Sequence, residues 1–249
     1  MILKTAQAVR PEVRPLRFVP KPVLLILALA FSAQLLWHVQ QPVPLARAEA
    51  LPAPPGLASI QLASFGEPIG LSKLLLLYIQ TFDNQPGVQG SFRLLDYRQI
   101  QVWLNLALQL DPRGQYPLFL ASQIYGAVGE PTKQATMFDF VYHQFFADPD
   151  RRWNSLAYAA IMTRHQLNDL PLAEKYAAAL RLYATDKSVP DWAQQMDIFM
   201  LADMGETDKA LTLLDKLLAS GQVTDAAELQ FLRARRVEME RLRPSSMQY

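Results

Sequence analysis

Residues 153–184, WNSLAYAAIMTRHQLNDLPLAEKYAAALRLYA, decide the fold of this chain. Apolar residues recur at helical spacing on both sides of Asn168, and the polar residues and proline around it interrupt the pattern. Two helices are therefore predicted, over residues 153–166 and 171–184. Because a connection this short makes the two helices antiparallel, the stretch predicts an αα-hairpin.

The same rhythm continues through residues 57–249. Apolar segments of about a dozen residues end at Pro, Gly, Asn or Asp, and strand-like alternation is nowhere convincing. The further helices predicted in this way cover residues 69–82, 97–110, 117–128, 132–146, 192–204, 207–219 and 224–242. The first of these contains Lys73 and is too short for a membrane span, so we expect a deeply buried helix there.

The turns inside successive hairpins follow a period. They centre on Gly129, Asn168 and Gly205, which are separated by 39 and 37 residues. Ala173 and Ala210 each lie five positions after a turn residue, where a small side chain allows close approach of the second helix to the first. Repeated hairpins of this kind predict a solenoid or a closed helical stack.

Each unit resembles a tetratricopeptide repeat. In that pattern the first helix holds a small and an aromatic residue, glycine forms the turn, and alanine and two apolar residues follow. The matching positions, to which the resemblance assigns packing between helices, are Ser122, Tyr125, Gly129 and Phe138 in the first unit, Ala157, Ala173 and Leu180 in the second, and Leu201, Gly205, Ala210, Leu214 and Leu217 in the third. The sequence departs from the pattern at Gln134, Arg164 and Asn168.

The resemblance covers residues 66–220. It implies an all-α fold in which antiparallel helix hairpins stack as a right-handed solenoid. A single transmembrane helix, predicted from a separate apolar run, precedes this solenoid. The period exceeds the usual length of about 34 residues. A non-repetitive helical bundle is the alternative.

The N-terminal segment has the pattern of a membrane anchor. Residues 1–21 hold five basic residues and one acid, and residues 22–39 form an apolar run. Eighteen helical residues rise about 27 Å, close to the roughly 30 Å hydrocarbon thickness of a bilayer. Because the basic flank comes first, we expect residues 1–21 in the cytoplasm and the chain after residue 40 outside, in the periplasm of a bacterium.

Two other interpretations of this run stay open. Ala46-Arg47-Ala48 has the small-x-small form of a signal-peptidase site, although the basic region is long for a signal peptide. A buried helix of a soluble protein is the other, and the polar and proline-rich flanks disfavour it. Residues 40–56 contain five prolines and predict an extended spacer ahead of a helical domain at 57–249.

Composition and motifs give no catalytic or cofactor signature. The chain has 24 Lys+Arg against 23 Asp+Glu, a balance that argues against nucleic-acid binding. The sequence contains no cysteine, which excludes disulfides, Cys-ligated zinc and thiol catalysis. Phosphate-binding loops, G-x-S-x-G and H-E-x-x-H do not occur. We therefore predict no enzyme, metal or cofactor, and we interpret Asp139 and His143 as a polar helix edge.

Aromatic residues crowd positions 116–153. On the predicted helix 132–146, Phe138, Val141 and Phe145 form one stripe, and Phe140 and Tyr142 point away from it. Such a helix is either buried between two neighbours or part of a binding surface. The last helix is rich in charge, which favours a solvated cap or, alternatively, contact with anionic lipid or an acidic partner. Its arginines are Arg233, Arg235, Arg236, Arg241 and Arg243.

These patterns favour a membrane-anchored scaffold that binds a partner protein or peptide in a groove of first helices. The candidate partner-binding residues are Tyr116, Phe119, Gln123, Asn154, Tyr158 and Gln194, with Phe140 and Tyr142 from the aromatic helix. One alternative is a fixed accessory subunit of a larger inner-membrane complex for secretion, envelope biogenesis or respiration. In that case small residues at 28–33 would let the span pack on partner helices. A motif-less enzyme on a helical scaffold is the third hypothesis.

Overall fold

A computed structural model describes residues 19–41 and 48–242, and every regular element in these two ranges is helical. The chain divides into two compact units, residues 1–46 and 47–249. The helices are α1 (Lys21–Gln40), α2 (Leu57–Ala63), α3 (Pro68–Gln80), α4 (Tyr97–Leu110), α5 (Tyr116–Phe119), α6 (Pro131–Phe145), α7 (Pro149–Met162), α8 (Leu170–Tyr183), α9 (Asp191–Gln194), α10 (Met196–Asp203), α11 (Thr207–Ser220) and α12 (Ala226–Leu242). A 3₁₀ turn at Ser91–Leu94 precedes α4.

Helix α1 is the one helix in the described ranges that is by itself long and apolar enough to span a membrane. A signal sequence has the same length and composition. None of its twenty residues is buried, which disfavours the interpretation as a core helix. The basic residues before position 19 and the Ala46-Arg47 part of the proposed cleavage site lie outside the described residues.

In the second unit each helix packs mainly on its neighbours in the sequence. Helix α3 packs on α4, α6 on α7, α7 on α8, α8 on α10, α10 on α11, and α11 on α12. The first helices of successive pairs are also in contact. Helix α7 contacts both α5 and α9. One core cluster runs from Leu51 to Met200 and a second from Ile198 to Met239, so that α10 contributes to both.

The three predicted hairpin turns are confirmed in position. Gly129, Asn168 and Gly205 all adopt left-handed backbone conformations, with φ of 78°, 53° and 79°. Glycine takes this conformation without a steric penalty, and asparagine is among the few other residues that tolerate it. The local sequence therefore ends the first helix of each pair at these residues.

The predicted helix 117–128 is interrupted. Helix α5 continues as a π turn at Leu120–Ile124 and a 3₁₀ turn at Tyr125–Ala127. The hydroxyl of Ser122 donates to the carbonyl of Leu118, a bond that favours helix distortion. A Cβ on Gly126 would lie 2.6 Å from Cε1 of Phe138, so this glycine makes room for the ring of the facing helix. Packing across the hairpin has overridden the helical periodicity here.

Helix α3 is not deeply buried, contrary to the sequence-based expectation. Ser72, Leu75, Leu76 and Ile79 form the buried face, which packs on α4. The opposite face is also apolar, and nothing in the described ranges covers it. Its exposed large side chains are Ile69, Leu74, Leu77 and Tyr78.

The proline-rich spacer is shorter than residues 40–56. The amide of Gln85 accepts from the Glu49 N–H at 2.6 Å and donates to the Glu49 carbonyl at 2.9 Å. Leu51 is buried, and Nε1 of Trp103 donates to the carbonyl of Pro52 at 2.8 Å. Residues 49–52 therefore pack on the helical unit as a strap. The segment between α1 and this strap is residues 41–48, and residues 42–47 of it lie outside the described ranges.

The turn residues provide a stability test. Replacing Gly205 by alanine places a Cβ in a left-handed turn, where the open surroundings leave backbone strain as the only cost. We expect Gly205→Ala to lower the free energy of unfolding by about 1 kcal/mol. Gly70 lies inside α3, and a Cβ added there would have no neighbour closer than 4.0 Å. Gly70→Ala should therefore raise the free energy of unfolding by about 0.5–1 kcal/mol. Urea unfolding of the full-length protein in detergent, followed by circular dichroism, measures both. Equal effects of the two substitutions would contradict the assigned turn.

Candidate partner-binding surface

Tyr116 and Phe119 form an exposed aromatic pair at the start of the first hairpin. Their ring centroids lie 5.8 Å apart with an interplanar angle of 14°, and the residues are 46% and 38% exposed. Between them in the sequence, Pro117 and Leu118 are buried and fix α5 to the core. The Tyr116 hydroxyl lies 3.3 Å from Oε1 of Gln80, to which it donates. The helical turn therefore presents two aromatic rings in a fixed orientation.

A shallow cleft of about 470 Å³ lies next to this pair along the chain. Gln115, the residue before Tyr116, lines the cleft together with the predicted binding residue Asn154. The remaining lining residues include three acids and one arginine: Asp148, Asp150, Arg151 and Asp186, with Trp153 and Ser188. Hydrogen bonds from Ser188 hold the pKa of the Asp186 carboxyl below its usual range. The cleft therefore has an excess of negative charge.

The other residues of the first helices that the sequence predicts to bind a partner are only partly exposed. Gln123 and Tyr158 are half-buried. Gln194 donates its side-chain amide to the carbonyl of Ala184 at 3.0 Å, so it is engaged at the end of α8. It also lines a different cleft of about 310 Å³, which Arg181 and Lys216 share. The structure thus brings Asn154 into one cleft with Gln115, the residue before Tyr116, and places Gln194 elsewhere.

Phe140 is buried and does not belong to a binding surface, which corrects its assignment. Helix α6 lies between neighbours, and Phe140 is part of the main core cluster. Tyr142 is half-buried, with its ring 5.1 Å from that of Tyr176 and 5.0 Å from that of Phe146. Nζ of Lys175 lies 4.5 Å from the Tyr142 ring centroid, at cation–π distance. Of the two interpretations of this aromatic helix, burial between neighbours applies to Phe140.

Of the apolar residues assigned to packing within the repeats, Leu217 is only half-buried and all the others are buried. The buried ones are Tyr125, Phe138, Ala157, Ala173, Leu180, Leu201, Ala210 and Leu214. Gln134, which stands where the pattern expects alanine, is also buried. Its amide donates to the carbonyl of Gly126 at 2.8 Å and so satisfies a backbone group of the interrupted helix.

A buried polar cluster that sequence reasoning missed joins the turn after α3 to the interrupted first helix of the first hairpin. The Tyr125 hydroxyl donates to Oδ2 of Asp83 at 3.1 Å, and the rings of Tyr97 and Tyr125 meet edge to face at 6.0 Å. Oδ1 of Asp83 and the Tyr97 hydroxyl are buried without a hydrogen-bond partner among the described residues. Asp83 follows α3 in a turn, and no local pattern signals its contact with a tyrosine 42 positions away.

Burial changes the ionisation of this cluster. It raises the pKa of the Asp83 carboxyl to about 6, against the opposing effect of the hydrogen bond from Tyr125. Burial likewise raises the pKa of Tyr97 and of Tyr125, and the nearby Asp83 carboxylate adds to both shifts. The two tyrosines therefore stay neutral, and Asp83 is the group that titrates near neutral pH.

Two buried charged side chains, Arg152 and Asp197, make contacts near the ends of neighbouring helices. The guanidinium of Arg152 donates to the carbonyl of Pro112 at 2.8 Å and to that of Gln144, which lie at the C-terminal ends of α4 and α6. Asp197 is fully buried and pairs with Arg181 between α10 and α8. Burial raises the pKa of Asp197, and the arginine opposes this shift. Both contacts connect neighbouring helices of the unit.

The Asp83 cluster gives a pH-dependent stability difference. The folded state binds the Asp83 proton more tightly than the unfolded state, so the penalty for burying the carboxylate is absent below about pH 4 and complete above about pH 6. We expect Asp83→Asn to be more stable than the wild type by about 2 kcal/mol at pH 7, with the difference vanishing near pH 4. Urea titrations of both proteins across this range measure it.

The matched control is Asp191→Asn, because Asp191 is an exposed aspartate of the same helical unit. The difference in free energy of unfolding between this control variant and the wild type should show no comparable change between pH 4 and pH 7. A constant difference between Asp83→Asn and the wild type from pH 4 to pH 7 would contradict the assigned burial.

Comparison of this chain with protein-family models, with curated proteins and with solved structures finds no match.

Proposed function

We propose that this protein is a membrane-anchored scaffold that binds a partner protein or peptide on the surface formed by its first helices. The stacked pair Tyr116–Phe119 next to the acidic cleft is the observation that carries the proposal. In this proposal α1 is retained as a single membrane span. Its N-terminus is cytoplasmic, and the helical unit lies outside the membrane, in the periplasm if the cell is bacterial.

The arrangement of the helices supports a repeat-type scaffold. Three successive helix pairs turn through a left-handed residue, and each pair packs on the next. We infer that these pairs form a right-handed, tetratricopeptide-like solenoid. In such a solenoid the first helices line the concave side, and α5 and α7, the first helices of two successive pairs, contact each other.

The chemistry of the surface suggests the kind of partner. Stacked aromatic rings with buried anchors lose little conformational entropy on binding, and aromatic residues are frequent among binding hot spots. The adjacent cleft, with three aspartates and one arginine, favours a cation. The proposed ligand is therefore a segment that carries an apolar or aromatic residue close to a lysine or arginine.

The accessory-subunit hypothesis differs in the role of α1. Ala28, Ala30, Ser32 and Ala33 are exposed, and such small residues allow close helix packing in a membrane. Exchange of residues 22–39 for an unrelated apolar span distinguishes the scaffold hypothesis from the accessory-subunit hypothesis. A scaffold keeps its partner after the exchange, whereas an accessory subunit that uses α1 as its interface loses its assembly.

Photo-crosslinking in cells tests the proposed surface. A benzophenone amino acid at position 119 or 154 of the full-length protein should give the same discrete adduct. The same probe at position 231, an exposed phenylalanine of α12, serves as the control and should not give it. Tyr116→Ala should weaken binding of the purified partner to the full-length protein about tenfold or more. The absence of an adduct from 119 and 154, or identical adducts from all three positions, would contradict the proposed surface.

A further inference from the structure

The helices that follow the strap carry an exposed apolar surface, which we call the α2–α3 face. Among residues 50–82 the only charged side chains are Glu67 and Lys73. The large exposed side chains of the face are Leu57, Leu62, Phe65, Ile69, Leu74 and Leu77, with Tyr78 at its edge. Leu62 is 81% exposed and Phe65 is 94% exposed. This concentration of apolar surface marks an interaction site rather than scattered surface residues.

The geometry of α3 matches a helix that lies on a membrane surface. A helix that is apolar all round is found in a core or in contact with lipid. Helix α3 has thirteen residues, so it rises about 20 Å and does not reach across the hydrocarbon layer. Helices α2 and α3 are together apolar enough to pass as a span, but the chain bends by 113° between them. With one face packed on α4, only the other face is available to lipid.

The two ends of the helical unit differ in polarity. At the C-terminal end, α12 exposes charged side chains, of which Arg236 pairs with Asp215 and Glu240, and Arg235 pairs with Glu238. Terminal helices of stacked-helix proteins need such polar outer faces to stay soluble. Helices α2 and α3, at the other end of the stacking order, expose leucine and phenylalanine instead. An apolar environment is therefore needed at that end.

The strap keeps the α2–α3 face close to the anchor along the chain. Glu49 is held by Gln85, shortly after α3, and Pro52 by Trp103, whose ring lies 5.4 Å from that of Tyr78. Residues 41–48 are all that separates α1 from the strap. Eight residues span at most about 28 Å when fully extended. The α2–α3 face therefore belongs to a unit whose strap is tethered within about 28 Å of the end of α1.

We propose that the α2–α3 face docks on the surface of the bilayer that α1 spans, so that the chain contacts the membrane twice. The proposal rests on the retention of α1 as the anchor, as proposed above. Since the face carries almost no charge, neutral lipid is sufficient for docking, and screening by salt has little effect on it. Lys73 can keep its ammonium at the headgroups while its stem lies along the apolar surface.

Lipid-borne quenchers test the docking. The chain has no cysteine, so single cysteines can carry a fluorescent label without a background variant. Full-length protein is reconstituted into phosphatidylcholine vesicles that contain nitroxide-labelled phosphatidylcholine. The labelled variants are Leu29→Cys in α1, Phe65→Cys and Leu74→Cys in the face, and His143→Cys, whose side chain is 66% exposed on α6.

We expect quenching at 65 and 74 similar to that at 29, and none at 143. If the lipid quencher affects only the label at position 29, the docking is overturned and the membrane span of α1 stands. Absence of quenching at 29 overturns the anchor and the docking together. Labels at 65 and 74 that resist both the lipid quencher and a water-soluble quencher overturn the docking in favour of a protein partner or a second copy.

A matched pair of substitutions measures how much Phe65 contributes to docking. Phe65 and Phe231 are both exposed phenylalanines, and they lie in different parts of the unit. Phe65→Glu should reduce the ratio of docked to undocked protein, read from the label at 74, about tenfold or more, and Phe231→Glu should leave it unchanged. Equal effects of the two substitutions overturn the proposal. So does docking that requires anionic lipid or is lost in high salt, because that behaviour indicates electrostatic attachment.

Discussion

Burial against sequence neighbours is the constraint on which the helical unit depends. Each helix of the unit covers its apolar stripe mainly with the helix before it and the helix after it. The left-handed turns at Gly129, Asn168 and Gly205 make this possible, because they reverse the chain within a few residues. The interior helices α6, α8 and α10 have neighbours on both sides. Helix α3 has no comparable cover before it, and this explains its exposed leucines.

Much of the fold was predictable because it is a local property of the chain. Helical periodicity and the residues that end it predicted α4 with its observed bounds, and α6, α8 and α11 to within one residue at each end. The three hairpin turns follow from single residues. The seven-residue helix α2 was not predicted, since its sequence falls between proline-rich and glycine-containing segments. The break in the helix after α5 accompanies close packing of Gly126 against the Phe138 ring of the facing helix, a contact that no local pattern encodes.

The candidate surface was predictable only in part, for the same reason. Tyr116 and Phe119 are exposed because the intervening residues Pro117 and Leu118 anchor their short helix, and this alternation is visible in the sequence. The burial of Phe140 depends on how the neighbouring helices pack around α6. Contacts such as Asp83 with Tyr125, or Glu49 with Gln85, join residues 42 and 36 positions apart. Their partners become known only when the helices are placed together.

The position of α10 has a consequence for how the unit loses its structure. Met196 and Met200 belong to one core cluster, and Ile198 and Leu201 belong to the other. Detaching α11 and α12 from α10 would expose half of an apolar helix, so the C-terminal helices are not an independent foldon. Amide exchange in α10 should then require opening of the larger cluster. Because helix α12 packs chiefly on α11, we expect fraying to begin there.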